Sequence, residues 1–394
     1  MKEAYIVSAC RTPVGKAPAG RLRSVRPDDL AACVIRELLR RTPSLDPARI
    51  DDLILGCAMP EGPQGMNMAR ISAQRAALPD VVPAVTVNRF CASGLEAIAV
   101  GAQRILSGMA EIVIAGGAES MSQVPMTGFR MSPNPCLTED MPDAYLAMGL
   151  TAENVSSQYH VPRVDQDSFS FNSHQKAIAA LDAGRFREEC VSVPVREVGL
   201  DEAGKRKVTE FNFEADEGPR RDTSLERLAA LKPAFSPRGT VTAGNASQRS
   251  DGAAGVVLAS GEAVKELGLK PLGRFVTYAT AGVPPGIMGI GPIAAIPKAL
   301  RQAGLQLDAL DLIELNEAFA AQALAVIREL KITESKVNVN GGGIALGHPL
   351  GATGAKLVVS ILHELRRRKA RLGLVTMCVG GGMGGAGIVE AFDA

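Results

Sequence analysis

A chain of 394 residues, 46% hydrophobic and 22% charged, carries enough apolar surface for two or three globular domains and fits no disordered class. Its formal net charge of +1 excludes nucleic acid or an acidic membrane as a partner held by bulk charge, so an anionic ligand has to meet local cations. Arg220 with Arg221, and the run Arg366 to Lys369, are such clusters. Seven scattered cysteines, at 10, 33, 57, 91, 136, 190 and 378, form no C-x-x-C pair and no metal-ligand spacing, which predicts reduced thiols, no bound metal and a cytoplasmic setting. MKEAYIVSACRTP lacks an export signal, no apolar run reaches membrane-spanning length, and EAFDA offers no retrieval signal.

Residues 3–9 alternate into a strand that Arg11, Thr12 and Pro13 end. Asp28 to Arg41 reads as a helix, Asp52 to Cys57 as a strand, and Gln64 to Ala77 as a helix. The β-branched run at Val85 predicts a buried strand, and an apolar-periodic helix follows from about Ser93 to Ser107. Cys91 falls on the turn between them. Unpaired N–H groups and the positive end of the helix dipole there favour a thiolate. Glu111 to Ala115 is a further buried strand closed by Gly116 and Gly117, and strands alternating with helices predict a mostly parallel sheet.

From about Glu119 to Gly244 the chain turns rich in Met, Pro and Ser and then in charge, which predicts an inserted lid-like domain with helices near 151–160 and 165–183. The sheet pattern resumes at Ala253 to Ala259 and Arg274 to Thr280. The last third then repeats the first. DLILGCAMPEG is echoed by DLIELNEAFAA, VTVNRFCASGLEAI by VNVNGGGIALGHPLGATGAKL, and IVIAGGAESM by GLVTMCVGGGMG. In two similar α/β halves, residues at matching strand ends can converge on one cleft. Cys91, Asn316, His348 and Cys378 lie at such ends. A Cys/His pair generates a nucleophilic thiolate, and the glycine clusters free backbone N–H groups for an oxyanion. No role is assigned to His160, His174 or His363, the last expected to be solvated.

These motifs, in this order, resemble the thiolases, acetyl-CoA C-acyltransferases. The resemblance runs from IVSACRTPVGK through NRFCASGLEAI, GGAESMSQVP, MGLTAEN, LKPAF, TVTAGNAS, DGAAG, MGIGP and NEAFAAQ to NVNGGGIALGHPLGATGA and CVGGGMG. It implies the five-layered αβαβα thiolase fold, with two duplicated α/β halves, 1–118 (completed by 245–270) and 271–394, and a coenzyme A loop domain at 119–244. A homodimer or homotetramer is implied, with coenzyme A as substrate and no other cofactor. Cys91 matches the nucleophile that takes the acyl group, His348 the base that activates it, and Cys378 the second acid/base. Asn316 matches the holder of a water in one oxyanion hole, and the N–H groups of Cys91 and Gly380 match the other. Ser247 and Arg220 match coenzyme A contacts, with Arg221 one alignment step from Arg220. Met148, Met288 and Phe319 match the apolar tunnel.

Acetoacetyl-specific members commonly carry His-Met-Gly in the loop domain and Gly after GNAS. Here Ala147 precedes Met148 and Gly149, and Gln248 follows GNAS. With FNF at 211–213, these departures point to the branch that cleaves 3-ketoacyl-CoA in fatty-acid β-oxidation. Biosynthetic acetoacetyl-CoA thiolase is the alternative. A decarboxylating ketosynthase normally pairs its cysteine with two histidines, against Cys378 here, and the intact Cys91, His348 and Cys378 argue against a non-catalytic acyl-CoA-binding relative.

Overall fold

The computed structural model describes residues 2–202 and 204–393, so the two terminal readings end at Met1 and Ala394, outside the described residues. In chain order the first half comprises β1 (Ala4–Arg11), β2 (Gly15–Lys16), α1 (Pro27–Arg40), β3 (Asp52–Gly56), α2 (Met68–Arg75), β4 (Ala84–Val87), α3 (Ser93–Ser107) and β5 (Ile112–Ser120). An excursion follows with α4 (Pro135–Asp140), α5 (Met148–Gln158), α6 (Arg163–Asp182), a ribbon of β6 (Val193–Leu200) and β7 (Arg206–Phe213), and α7 (Leu225–Ala229). The chain returns through β8 (Ser250–Ser260), α8 (Gly261–Glu266) and β9 (Gly273–Gly282). It closes with α9 (Gly291–Ala303), β10 (Leu312–Leu315), α10 (Ala320–Glu329), α11 (Gly343–Leu346), α12 (Leu350–Arg368), β11 (Leu372–Val379) and β12 (Met383–Ala391).

The strands lie in the order β10-β11-β12-β9-β1-β8-β5-β3-β4, with β2 beside β8. Read outward from the β1–β9 junction, the two halves repeat one plan, so that β3 answers β10, β5 answers β11, and β8 answers β12. Among the described strands of this sheet, β3–β4, β3–β5 and β10–β11 pair parallel and the remaining strand pairs run antiparallel. The expected mostly parallel sheet is therefore a mixed one. β12 follows β11 through a tight glycine turn, and β8 re-enters from the far end of the excursion, so each meets its neighbour head to tail.

The β1–β9 ladder pairs only Ala4, Ile6 and the residue between them with Phe275, Arg274 and Gly273, and beyond it the halves diverge. α3 and α12 fill the space between. Val113 and Ala115 of β5, Val375 and Met377 of β11, and Val389 of β12 face these helices, while Ile112, Ile114 and Leu374 face outward, as a strand's period of two requires. α1 and α2 cover one outer face, and α9 and α10 cover the other. The result is the five-layered αβαβα fold. Glycines let the central helices cross closely: a Cβ on Gly94 would stand 2.8 Å from the Ala355 nitrogen, and one on Gly354 would stand 2.4 Å from the Leu95 nitrogen.

β1 continues through Arg11 instead of stopping there, because Arg11 is itself buried. Its guanidinium bonds Asp216 at 2.8 Å through both Nη atoms and Glu189 at 2.6 Å through Nε, clamping the excursion to the body. β5 likewise runs past Gly116 and Gly117 to Ser120. β4, expected to be buried, is half-buried, because it is the edge of the sheet. His363, expected in solvent, is half-buried with Nε2 3.4 Å from the Ala9 carbonyl. Among the described residues no helix is long and apolar enough to cross a membrane.

Candidate active site

The Cys91 turn is built by its neighbours. Asn88 Oδ1 accepts from the Phe90 N–H at 2.7 Å, and Ser93 Oγ accepts from the Arg89 N–H at 2.8 Å while donating to the Phe90 carbonyl at 2.6 Å. These bonds hold Phe90 at φ +42°, so that the chain enters α3 abruptly with Cys91 at its mouth. Arg89 pairs with Glu96, which also accepts from Tyr278 at 2.7 Å. Behind the turn, buried Glu119 accepts from the N–H groups of Ala58 and Gly351, each at 2.8 Å, and from Gln64 at 2.6 Å. One carboxylate thus joins the end of β5 to the start of α12.

The expected thiolate is corrected by the structure. Burial pushes the Cys91 thiol up to about 11, and the N–H groups of Gly380 and of Cys91 itself, though aimed to favour the anion, offset only part of that. Those two N–H groups are the pair named from the sequence for an oxyanion. The turn touches both α12 and β11. Cys378 is fully buried at the end of β11, its thiol raised by burial and by neighbouring Cys91.

His348 stands one residue before Pro349, the N-cap of α12, and is buried. Its ring lies 3.2 Å from Asn316 Nδ2 through Nε2 and 2.6 Å from Thr353 Oγ1 through Nδ1. Burial and the nearby Lys356 cation lower its pKa to about 3, so the resting imidazole is neutral. Asn316 sits beyond the end of β10, with its N–H on the Thr376 carbonyl at 2.9 Å. The next residue, Glu317, is buried and accepts from Ser173 at 2.6 Å, Asn338 at 2.8 Å and the Ile344 N–H at 3.2 Å, tying β10, α6 and α11 together.

Met288, Phe319 and Cys378 share one buried cluster, with Met148 packed against it, so these apolar residues wall the second thiol. Phe235 stacks edge-on to Phe319 at 6.2 Å and lies over Gly149, where a Cβ would stand 2.2 Å from its ring. Ser247 is half-buried nearby, its N–H on the Ala318 carbonyl at 2.9 Å. The adjacent arginines part company: Arg221 pairs with Asp182, whereas exposed Arg220 enters no ion pair among the described residues and faces Lys16 and His174. Gln248 reaches the carbonyls of Gly218 and Ile344, each at 3.0 Å, bolting the excursion to α11. Arg367 and Arg368, in the other cationic run, are both spent on Glu364. Sequence reasoning assigned nothing to Thr353, Glu119, Glu317 or Phe235, although each stands inside a motif it singled out.

The chain belongs to the thiolase family, and so to a class of acyltransferases. Residues 4–262 match the thiolase N-terminal domain and residues 269–391 the thiolase C-terminal domain. It is 56% identical to the 3-ketoacyl-CoA thiolase of Bacillus subtilis over 99% of this chain and 100% of that one. It is 48% identical to an acetyl-CoA acetyltransferase of Pseudomonas aeruginosa, covering 98% of each. The crystal structure of the Bacillus anthracis acetyl-CoA acetyltransferase superposes with a TM-score of 0.90 at 42% identity, covering 100% of this chain and 99% of that one.

Proposed function

We propose that this enzyme cleaves 3-ketoacyl-CoA with coenzyme A, giving acetyl-CoA and a shortened acyl-CoA, in fatty-acid β-oxidation. What supports the reading is a pair of neighbouring thiols, Cys91 and Cys378, the first on a turn that packs against α12, at whose start the neutral His348 meets Asn316. His348 Nε2 takes the Cys91 proton as Sγ attacks the 3-keto carbon, and the N–H groups of Cys91 and Gly380 receive one developing oxyanion. The C2–C3 bond then breaks. Cys378 gives its proton to C2 of the departing acetyl-CoA enolate, while Asn316 and His348 hold the enolate oxygen. The acyl group remains on Cys91 until coenzyme A attacks it; the coenzyme A thiol proton passes to Cys378, and His348 returns its proton to Cys91 as that sulfur leaves. Thioester exchanges for thioester, so the cycle is reversible and needs no cofactor beyond coenzyme A, whose pantetheine arm meets Ser247 and whose phosphates meet Arg220.

The reverse condensation, making acetoacetyl-CoA, is the second reading, because several relatives bear the name acetyl-CoA acetyltransferase. Ala147 and Gln248 favour the degradative one. Steady-state thiolysis from C4 to C16 with Cys91→Ser as control decides: activity rising beyond C4 and absent in the variant supports it, and activity at C4 alone sinks it. The protein acts in the cytoplasm as a homodimer or homotetramer, in keeping with an open β4 edge flanked by exposed Met66, Val81 and Phe90.

A further inference from the structure

We propose that Thr353 is a positioning residue that sets the catalytic tautomer of His348, holding the proton on Nδ1 so that Nε2 is the accepting nitrogen, occupied at rest by the Asn316 amide and turned to the thiol proton in the reaction. The inference rests on the assignment of His348 as base and adds to it the group that makes the base usable. Thr353 touches no reacting atom; it acts through the ring.

Thr353 lies in the first turn of α12, fully buried, with Oγ1 2.9 Å from the Pro349 carbonyl and 2.6 Å from His348 Nδ1. A carbonyl can only accept, so the single hydroxyl proton goes to Pro349 and Oγ1 is left to accept from Nδ1–H. On the other side of the ring, Asn316 Nδ2 stands 3.2 Å from Nε2 and donates to it. This arrangement makes three hydrogen bonds with no conflict. The opposite tautomer makes two: Nε2–H would need the Asn316 amide reversed, and the Thr353 proton would have to leave Pro349 for Nδ1. In a buried site each unmade bond costs about 1–3 kcal/mol, enough to decide a tautomer equilibrium.

The backbone fixes the ring from a further direction. The His348 N–H donates to Ser250 Oγ at 3.1 Å, and the Ser250 hydroxyl donates to the Gln248 carbonyl at 2.7 Å. The imidazole therefore hangs between β8 and α12 with one nitrogen committed to Thr353. Burial and Lys356 keep the ring from resolving the question by taking a second proton. A wrong tautomer would present N–H to the Cys91 thiol and could accept nothing from it.

The test uses full-length enzyme labelled with 15N-histidine, compared as wild type, Thr353→Val, Thr353→Ser and His348→Asn, the last identifying the His348 signals. Long-range 1H–15N correlation near pH 7.5 reads which ring nitrogen carries the proton, whatever His348 does in catalysis. The expected wild-type signature is a protonated Nδ1 and a bare Nε2. Thr353→Val moves the proton to Nε2 and lowers thiolysis kcat about 10–100-fold, with KM for coenzyme A within about twofold; Thr353→Ser restores both. A wild-type Nε2–H, or a Thr353→Val enzyme that keeps either the wild-type tautomer or near-wild-type kcat, overturns the proposal. Should Thr353→Val fail to fold, Thr353→Ala takes its place under the same two readouts and the same overturning results. Retained thiolysis in His348→Asn would instead sink the base assignment, leaving the tautomer result standing.

Discussion

Removing the Arg11 guanidinium is expected to loosen the excursion from the body and destabilise the protein by several kcal/mol. Arg11, Asp216 and Glu189 have side-chain exposures of 1%, 0% and 3%, so Arg11→Met strands two carboxylates where water cannot reach them. Breaking a buried pair by deleting one partner costs about 3–5 kcal/mol. Two stranded acceptors place this case toward the upper end, although Glu189 keeps Ser360 at 3.0 Å and Asp216 keeps the Val14 N–H at 2.8 Å. The guanidinium carbon also lies 5.2 Å from the centre of the Phe186 ring, a contact that methionine gives up. A chain of this length melts with an entropy of about 0.8 kcal/mol/K if it unfolds as a unit, so the midpoint should fall by about 4–6 °C. Thermal unfolding at pH 7.5 reads the shift, and limited proteolysis locates it: cleavage should appear first between residues 183 and 222. Adding Asp216→Asn should recover part of the loss, since its Oδ1 can still accept from Val14. A midpoint within about 1 °C of wild type, with no new cleavage, would refute the clamp.

Stability should also fall on mild acidification. Burial, then Arg220, holds His174 at about 4, and burial, then Lys356, holds His348 at about 3, against 6.5 for the unfolded residue. Above pH 6.5 neither matters. Below it the unfolded chain binds protons the folded one refuses, costing about 1.4 kcal/mol per pH unit per histidine, for His174 down to about pH 4 and for His348 further still. His174→Gln should flatten the fall of the melting midpoint between pH 6.5 and 4.5, and an unchanged slope would count against the assignment. Arg220→Ala should raise KM for coenzyme A several-fold, while Arg221→Ala, whose guanidinium is already paired with Asp182, should leave it within about twofold. Equal effects in steady-state kinetics would mean the two arginines share the phosphates.

The paired halves of the fold, and the turns on which the candidate site residues stand, were legible because both are written twice. Cys91 and His348 occupy matching turns of duplicated strand–helix units, and Cys378 ends a strand that answers β5, so local periodicity and repetition carried them. The unread parts depend on partners far along the chain. Nothing near Arg11 announces Asp216, and a buried arginine ending a strand reads locally as a stop. β4 looks like any buried β-branched run until the sheet order places it at an edge. The Cys91 thiol was misjudged because helix dipole and N–H donors are visible in sequence, whereas the depth of burial opposing them is a property of the assembled layers. Thr353 was overlooked for a different reason: a threonine one turn into a helix ordinarily bonds back to its own backbone, and here it does so while also serving a side chain.

The short ladder between β1 and β9 bears on how the chain is made. β1 precedes the other strands of this sheet along the chain, yet its neighbours are residues 250–260 and 273–282. Until those emerge, β1 has neither of its strand partners, and the edge of β5 that β8 will pair with stays open. The first half therefore cannot close as an autonomous unit during synthesis, and its completion coincides with the arrival of the second half's own edge strand. With long-range pairing this late, folding is expected to be slow, and an unpaired strand is exposed to other chains until the strands at 250–260 and 273–282 have emerged. Truncation before residue 260 should yield an aggregating fragment, not a smaller enzyme.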